Sequence, residues 1–558
     1  MEDVNAGDMA YQEYPPSKTR PLNILHLPID ILYIIFAHLN EERFYIKYCV
    51  AREDIDIKTI QNARLVCGLF NRLASPLLCP VLTVELNQTS LNLVDEISRS
   101  PLIASGVRTI HVGLLYRPRE VAESLQFFKN WRGEDIDALL IQCGNRAFES
   151  RGDMYDEERL ELYNKAAADC RAIISAWEKY FVSPADGAPI DAESLGYQEI
   201  LLQGYEEYLQ KQEEQFRLIT EGSFVNTLAS AMARMGHCAY IHFHDRITFN
   251  DSYTPPKDPA LVSTDPAELP RFLTAPVDWR DIEEMHDGTD LTPARILSEL
   301  PIAIHKAGVA ISAITLHCFP TTNNYTMLCP DPRGANKPSW PDLRAACQHL
   351  TEFEVQWEDQ PMRYRHLLYK EQVPIDNYLY AMLSGQAMEI VNMDFQNFVV
   401  NDGDKNEIKG LHHIGTVLAA INWPRIKELR LSYVSFHQGE LEAFFRGLDG
   451  AAVEFVSIHD VELLSGSWAG ALDILRGKVA GRCLDGECEV MFDEFAGGEF
   501  GKRGTQKWKR CAWGEESGGE SGGERGEEED GEKSIFDLTD SYVSGVGSSN
   551  PLNGLMVL

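Results

Sequence analysis

Basic residues are scarce in this chain. Its 558 residues hold 51 Lys and Arg against 85 Asp and Glu, a formal charge of −34. A field of that sign repels phosphate backbones, so nucleic acid is not an expected partner, and basic partners, or none chosen by charge, are favoured. Long apolar runs are also missing. The longest, around LPIDILYIIFAHL from Leu27, is interrupted by His26, Pro28, Asp30 and His38, whereas a membrane-spanning helix needs ~20 largely apolar residues. The start, MEDVNAGDMAYQEY, has acids where a secretory signal has basic and then apolar residues. Neither secretion nor a membrane span is expected. The 12 cysteines follow no framework spacing, and several sit inside apolar runs. They read as reduced thiols of a cytoplasmic or nuclear protein.

Catalytic signatures are equally thin. No Walker or dinucleotide glycine pattern occurs, and SGSWAG has Ser465 where a nucleophile elbow needs Gly two residues before Ser467. DGDKNE opens like a calcium loop with Asp402, Asp404 and Asn406. Glu407 then stands at the glycine position and His413 at that of the bidentate Glu. CLDGEC, with Cys483 and Cys488, has no second pair at zinc-ribbon spacing. No catalytic residue, cofactor or metal is expected. One cluster keeps a metal-dependent enzyme open as a remote alternative. GHCAYIHFHD holds His237 and Cys238, then His242 and His244 on one face of a strand.

What the chain does hold is a change of rhythm. The length exceeds one compact core at ~100–200 residues per domain, unless the chain forms an extended repeat array. Residues 1–21 read as a flexible leader ending in PPSKTRP. A helix follows, with Pro28 in its first turn, Asp30 at the positive end of its dipole, and Ile31, Leu32, Ile35, Phe36 and Leu39 at helical spacing. A second helix runs from about Thr59, with Ile60, Ala63, Val66, Cys67, Phe70 and Leu73 on one side, to Pro76 and Pro80.

From Val81 the pattern becomes short β-rich runs separated by helix-sized segments. IKELRLSYVSF, from Ile426, matches VEFVSIHDVEL, from Val453, at an offset of 27 residues. Ile426 falls on Val453, Leu429 on Val456, Leu431 on Ile458, Val434 on Val461 and Phe436 on Leu463. The offset lies within the ~20–29 residues of leucine-rich repeats, and the intervening helix carries Leu441, Phe444, Phe445 and Leu448. Weaker copies of the strand begin at Val107, Cys238, Ile311, Leu350 and Met388.

The expected fold is therefore α/β. A small all-α module over 22–80 precedes an irregular leucine-rich-repeat-like solenoid over 81–490. That array carries a helical hairpin insertion over about 120–220 and a Pro-rich surface excursion over about 251–293, where seven prolines fall among acids. Residues 491–558, with GEESGGESGGERGEEEDGEK, read as an acidic disordered tail, and SIFDLTDSYVSG within it as plain tail, with a short acidic-hydrophobic interaction motif as the alternative.

The N-terminal module resembles the F-box family. Leu27-Pro28, Asp30, the aliphatics Ile31, Leu32, Ile35 and Leu39 with Phe36, then Arg64-Leu65-Val66-Cys67 with Phe70, Asn71 and Leu73, follow that family's order. The segment between the helices, NEERFYIKYCVAREDIDIK, is longer than the family usually has, and no Trp follows the second helix. Filamentous-fungal F-box proteins, as a broad type, look similar, and many pair the module with degenerate leucine-rich repeats. The resemblance implies binding rather than catalysis. A Skp-type adaptor would dock on Leu27, Pro28, Ile31, Ile35, Leu65, Val66 and Phe70 and link the chain to a cullin. The repeat face would hold an unidentified protein substrate, at Glu428, Arg430, Ser432, Phe455, Ser457 and His459. A leucine-rich scaffold outside any ubiquitin ligase, its N-terminal helices serving as a cap, is the alternative from another class.

Overall fold

The computed structural model describes residues 24–44, 55–151, 156–181, 191–246, 260–265, 267–285, 289–320, 322–330, 339–356, 365–396, 398–401, 410–501 and 535–553. The chain divides into two compact units, Met1–Pro80 and Val81–Leu558. The leader read over residues 1–21 lies outside the described residues, as do residues 45–54 between the first two helices.

The first unit holds three helices, α1 (Ile29–Phe44), α2 (Ile55–Val66) and α3 (Gly68–Ala74). Pro28 stands just before α1 rather than within it, and its carbonyl accepts from Ile31 and Leu32. The single second helix read from the sequence is two. Cys67 takes extended backbone, φ −163° and ψ 168°, and its sulfur accepts from the Phe70 N–H, so it caps α3 instead of continuing α2. The core is small: Leu32, Phe36, Ile60, Phe70 and Ala74 are buried, with the Phe36 and Phe70 rings edge to face at 5.1 Å.

The second unit is built on a nine-stranded parallel sheet, and its strand order is chain order. The strands are β1 (Val81–Glu85), β2 (Thr109–Gly113), β3 (Tyr240–His244), β4 (Ala313–Leu316), β5 (Glu352–Val355), β6 (Ile390–Asp394), β7 (Glu428–Ser432), β8 (Phe455–His459) and β9 (Glu489–Asp493). Alternate residues face opposite sides of a strand, and in this register two apolar rows cross the whole sheet. One runs Leu82, Ile110, Ile241, Ile314, Phe353, Val391, Leu429, Val456, Val490, and every member is buried. The 27-residue self-match is this register, since Leu429 pairs with Val456 and Leu431 with Ile458.

Helices follow the strands. They are α4 (Gln88–Ser98), then α5 (Leu125–Glu149), α6 (Glu157–Phe181) and α7 (Ala192–Thr220) inserted between β2 and β3, then α8 (Ser223–Arg234), α9 (Ile296–Lys306), α10 (Trp340–Ala346), α11 (Gln372–Leu383), α12 (Gln438–Gly447), α13 (Trp468–Leu484) and α14 (Ile535–Val543). Apart from the inserted three, these helices pack side by side in chain order, the short helix Gly415–Ala419 standing between α11 and α12. The apolar rows thus have a helix layer to bury against, the usual solution for a sheet with one apolar face.

A second, six-stranded sheet runs alongside, from Arg365–Leu368 to Ala496–Gly497. The chain enters it directly after β7, β8 and β9 through left-handed residues, Tyr433 (φ 59°), Asp460 (φ 51°) and Glu494 (φ 57°). At the same junctions the N–H of Tyr433 donates to the His459 carbonyl, and that of Asp460 to the Asp493 carbonyl.

Three sequence readings are corrected. The insertion is not a hairpin but three long helices, α5, α6 and α7, around Phe128, Ile136, Ile173, Trp177, Leu201 and Tyr208. The Pro-rich stretch is no surface excursion in its described part. Short helices at Ala260–Thr264, Glu268–Leu273 and Trp279–Glu284 bury Val262, Leu273 and Trp279, and Arg132, itself buried, donates to the carbonyls of Leu273 and Ala275. Residues 247–259 lie outside the described residues.

The C-terminal reading also changes, because order does not end at Val490. Strand β9 runs to Asp493, and α14 docks against it and α13. Tyr542 and Val543 are buried, Phe536 stacks on Phe500 at 5.7 Å, and the Arg476 guanidinium lies 4.4 Å from the Tyr542 ring centroid. Asp540 accepts the N–H of Phe492, on the edge strand, at 2.9 Å. The Gly- and Glu-rich stretch lies outside the described residues.

Candidate functional site

Two surfaces stand out, one in each unit. In the first unit, residues 29–36 of α1 and the end of α2 show more apolar surface than they bury. Leu32 and Phe36 face inward, while Ile29, Ile31, Ile34 and Ile35 are exposed. Leu65 is 85% exposed and Val66 63%. Of the residues named for adaptor binding, Ile31, Ile35, Leu65 and Val66 are therefore open, and Pro28 is exposed too. Leu27 is half-buried against the core. Phe70 is corrected: it is a core residue against Phe36, because the α3 turn set by Cys67 points its ring inward.

In the second unit the sheet face opposite the apolar rows is polar. Its central row, in continuous register, reads Thr83, His111, His242, Thr315, Glu354, Asn392, Arg430, Ser457, Met491. The row changes character along its length. Over β2 to β4, His242, His244 and His317 are buried and His111 is half-buried. The ring centroids of His111 and His242 are 4.6 Å apart, and His242 stacks on His317 at 4.2 Å. Burial holds these imidazoles neutral. His111 and His244 are pushed down to about 4, His317 to about 3, and His242 well below its ordinary value. The segment after Leu273 meets the ends of β2 and β3: Tyr116 bridges to Val277, Trp279 donates its N–H to Asp245, and its indole donates to the Leu114 carbonyl.

This cluster differs from the one read in the sequence. His237 is exposed and outside it, and the Cys238 thiol is pushed up to about 12 by burial. The partners of His242 and His244 are His111 and His317, from neighbouring strands. Among the described residues no group of three or more His, Cys, Asp or Glu side chains is arranged to hold a metal ion. The His242 and His317 planes lie within 18° of each other, so they stack rather than aim nitrogens at a common point.

Over β7 to β9 the same face is open. Glu428, Arg430 and Ser432 stand beside Phe455, Ser457 and His459, which stand beside Glu489, Met491 and Asp493. All six residues named for substrate binding therefore lie together, and the sheet adds the three of β9. The Arg430 guanidinium lies 4.4 Å from the Phe455 ring centroid and 3.7 Å from Glu428. His459 sits 3.4 Å from Asp493 and 3.5 Å from Asp460.

No known family profile and no curated protein matches this chain. The two surfaces must therefore be read from their own chemistry. Among the described residues no helix is long and apolar enough to cross a membrane.

Proposed function

We propose that the protein is a substrate-recruiting subunit of an SCF-type ubiquitin ligase. Its N-terminal helical unit acts as an F-box module that binds a Skp-type adaptor, and through it a cullin. Its sheet unit acts as an irregular leucine-rich-repeat-like solenoid that holds a substrate protein. The chain does no chemistry itself. The observation that carries the reading is the imbalance of the first unit: among the described residues five buried side chains make its core, while Ile29, Ile31, Ile34, Ile35, Leu65 and Val66 face outward. Apolar burial is worth roughly 25 cal/mol per Å², so a partner that covers these side chains gains what the small core leaves unused. Exposed apolar surface on this scale marks docking sites.

The mechanism is tethering. Holding a substrate on the sheet while the helices hold the ligase raises the effective concentration of its lysines near the conjugating enzyme, a gain of ~10²–10⁴ in linked systems. Strand order following chain order, with one polar face, supports the solenoid reading. The test is co-purification of a Skp-type adaptor with the full chain, against the double variant Leu65→Asp, Val66→Asp. These side chains are exposed, so folding is kept and circular dichroism should be unchanged. The expected result is adaptor with the wild type and none with the variant. A wild-type chain that binds no adaptor would return the protein to the class of scaffolds outside a ubiquitin ligase.

A further inference from the structure

We propose that the open part of the polar face, over β7 to β9, receives an extended, positively charged segment of a partner protein. The inference rests on the proposed function only in taking the sheet unit as the recruiting part, and it does not depend on the adaptor.

The patch has the size and shape of a short extended peptide. Three strands ~4.8 Å apart, each offering three alternate positions ~6.6 Å apart, make an area of roughly 10 by 13 Å. Its floor has two apolar platforms, the half-buried Phe455 ring and Met491, which is 49% exposed. Around them stand the carboxylates of Glu428, Glu489 and Asp493, with Asp394 on the neighbouring strand and Asp460 just past β8. Arg430 is the one Lys or Arg among the nine positions, and it is already engaged, over Phe455 and beside Glu428. His459 lies between two carboxylates. The surface is thus acidic around an apolar floor, in a chain whose total charge has the same sign.

Lys and Arg fit both properties at once. Their alkyl stems lie on apolar surface while their charged heads reach carboxylates. Acidic segments and nucleic acid are repelled by the same field. The other part of the face is not available in this way, because His242 in its central row and His244 and His317 beside it are buried, as is Glu354 on β5. An interface core of one aromatic and one methionine within a polar rim is also the usual anatomy of protein recognition surfaces.

The test is selection of dodecapeptides from a random display library on the immobilised full-length protein, followed by fluorescence anisotropy of the selected peptides. Three variants are compared with the wild type. One reverses the patch (Glu428→Lys, Glu489→Lys, Asp493→Lys). One reverses three exposed acids on α6 (Glu157→Lys, Glu158→Lys, Glu161→Lys), with the same change in total charge. The third is the adaptor-face variant Leu65→Asp, Val66→Asp. Selected peptides should be rich in Lys and Arg. They should bind the patch variant at least tenfold more weakly, the α6 variant within about twofold of wild type, and the adaptor-face variant unchanged. Circular dichroism and thermal melting confirm that each variant is folded. Failure to select peptides, selection of neutral or acidic ones, or equal weakening by both reversals would overturn the proposal. Adaptor co-purification is read separately, so loss of one result does not stand for loss of the other.

Discussion

The two ends of one sheet face make the sharpest contrast in this molecule. Over β2 to β4 the outward row holds His111, His242 and Thr315, within a buried histidine cluster. Over β7 to β9 the row holds Arg430 and Met491, both exposed, with Ser457 half-buried between them. The backbone is the same parallel ladder in both places, and so are the apolar rows behind it. What differs is the traffic between strands. The long insertion between β2 and β3 and the segment around Trp279 lie near the first part, whereas only 27 residues separate equivalent positions of β7 and β8, so that loops stay short there. A side chain's chemistry in this fold is set less by its place on the strand than by what the chain does before the next strand begins.

Acid should break the contrast most strongly. The folded histidines have values near 3 to 4, below the ~6.5 of an unfolded chain. The unfolded state therefore binds protons first, and the stability that is fully present above pH 6.5 is lost as pH falls toward 4. Each such histidine accounts for roughly 3 kcal/mol at the end of that window. Asp281, Asp376 and Asp540, each raised to about 6 by burial, work in the opposite sense and offset part of that loss. Thermal melting followed between pH 7 and 4.5 should show a steep fall, and a flat profile would show the cluster to be wet.

A charge placed in the row should come next. His242→Asp buries a carboxylate among neutral rings and should cost about 3–5 kcal/mol, while Ser457→Asp, on the open part, should stay within ~0.5 kcal/mol. Urea unfolding of the two variants compares them directly. Similar midpoints would erase the distinction between the two parts of the face.

The same opposition of closed and open recurs in the first unit. Phe70→Ala should cost about 3 kcal/mol or more by removing half of an aromatic pair, and Leu65→Ala no more than ~0.5 kcal/mol. Limited proteolysis should cut the first variant near its helices and leave the second resistant. The smallest effect is expected at Arg430→Ala. The cation over Phe455 contributes ~0.5–1 kcal/mol at a site this exposed, which is read as a melting shift of a few degrees at most.

Much of the sheet was legible in the sequence because strands with one dry face alternate. Leu429, Leu431, Val456 and Ile458 carry that period, and their 27-residue offset proved to be strand register. The histidine cluster was only half visible. His242 and His244 are neighbours in sequence, but His111 and His317 come from distant strands and join them only once register is fixed. A signal did exist: TIHV and YIHF hold the same Ile-His pair, and the structure sets Ile110 against Ile241 and His111 against His242.

Elsewhere local pattern misled. Helix α5 contains Gly133 and Gly144 and mixes charge into its apolar side. Its helicity depends on packing against α6 that no local window shows. The prolines of 251–293 read as a surface excursion, yet Leu273 and Trp279 are anchored by Arg132 and Asp245, more than thirty residues away at the nearest. In the first unit, the division of exposed from buried aliphatics was not readable. Ile31 and Leu32 are adjacent and equally apolar, and only the fold separates them.

The α14 segment carries a consequence for biosynthesis. Phe492 lies on the last strand of the sheet, and the carboxylate that takes its N–H belongs to a residue 48 positions further along the chain. During translation the strand leaves the ribosome seconds before Asp540, Tyr542 and Val543 do, at the usual ~5–20 residues per second. For that interval the Phe492 N–H lacks its carboxylate acceptor on an edge strand, the kind of edge on which chains pair with one another. Chains cleaved between Phe492 and Asp540 would lose both that acceptor and the cover that Tyr542 and Val543 bring.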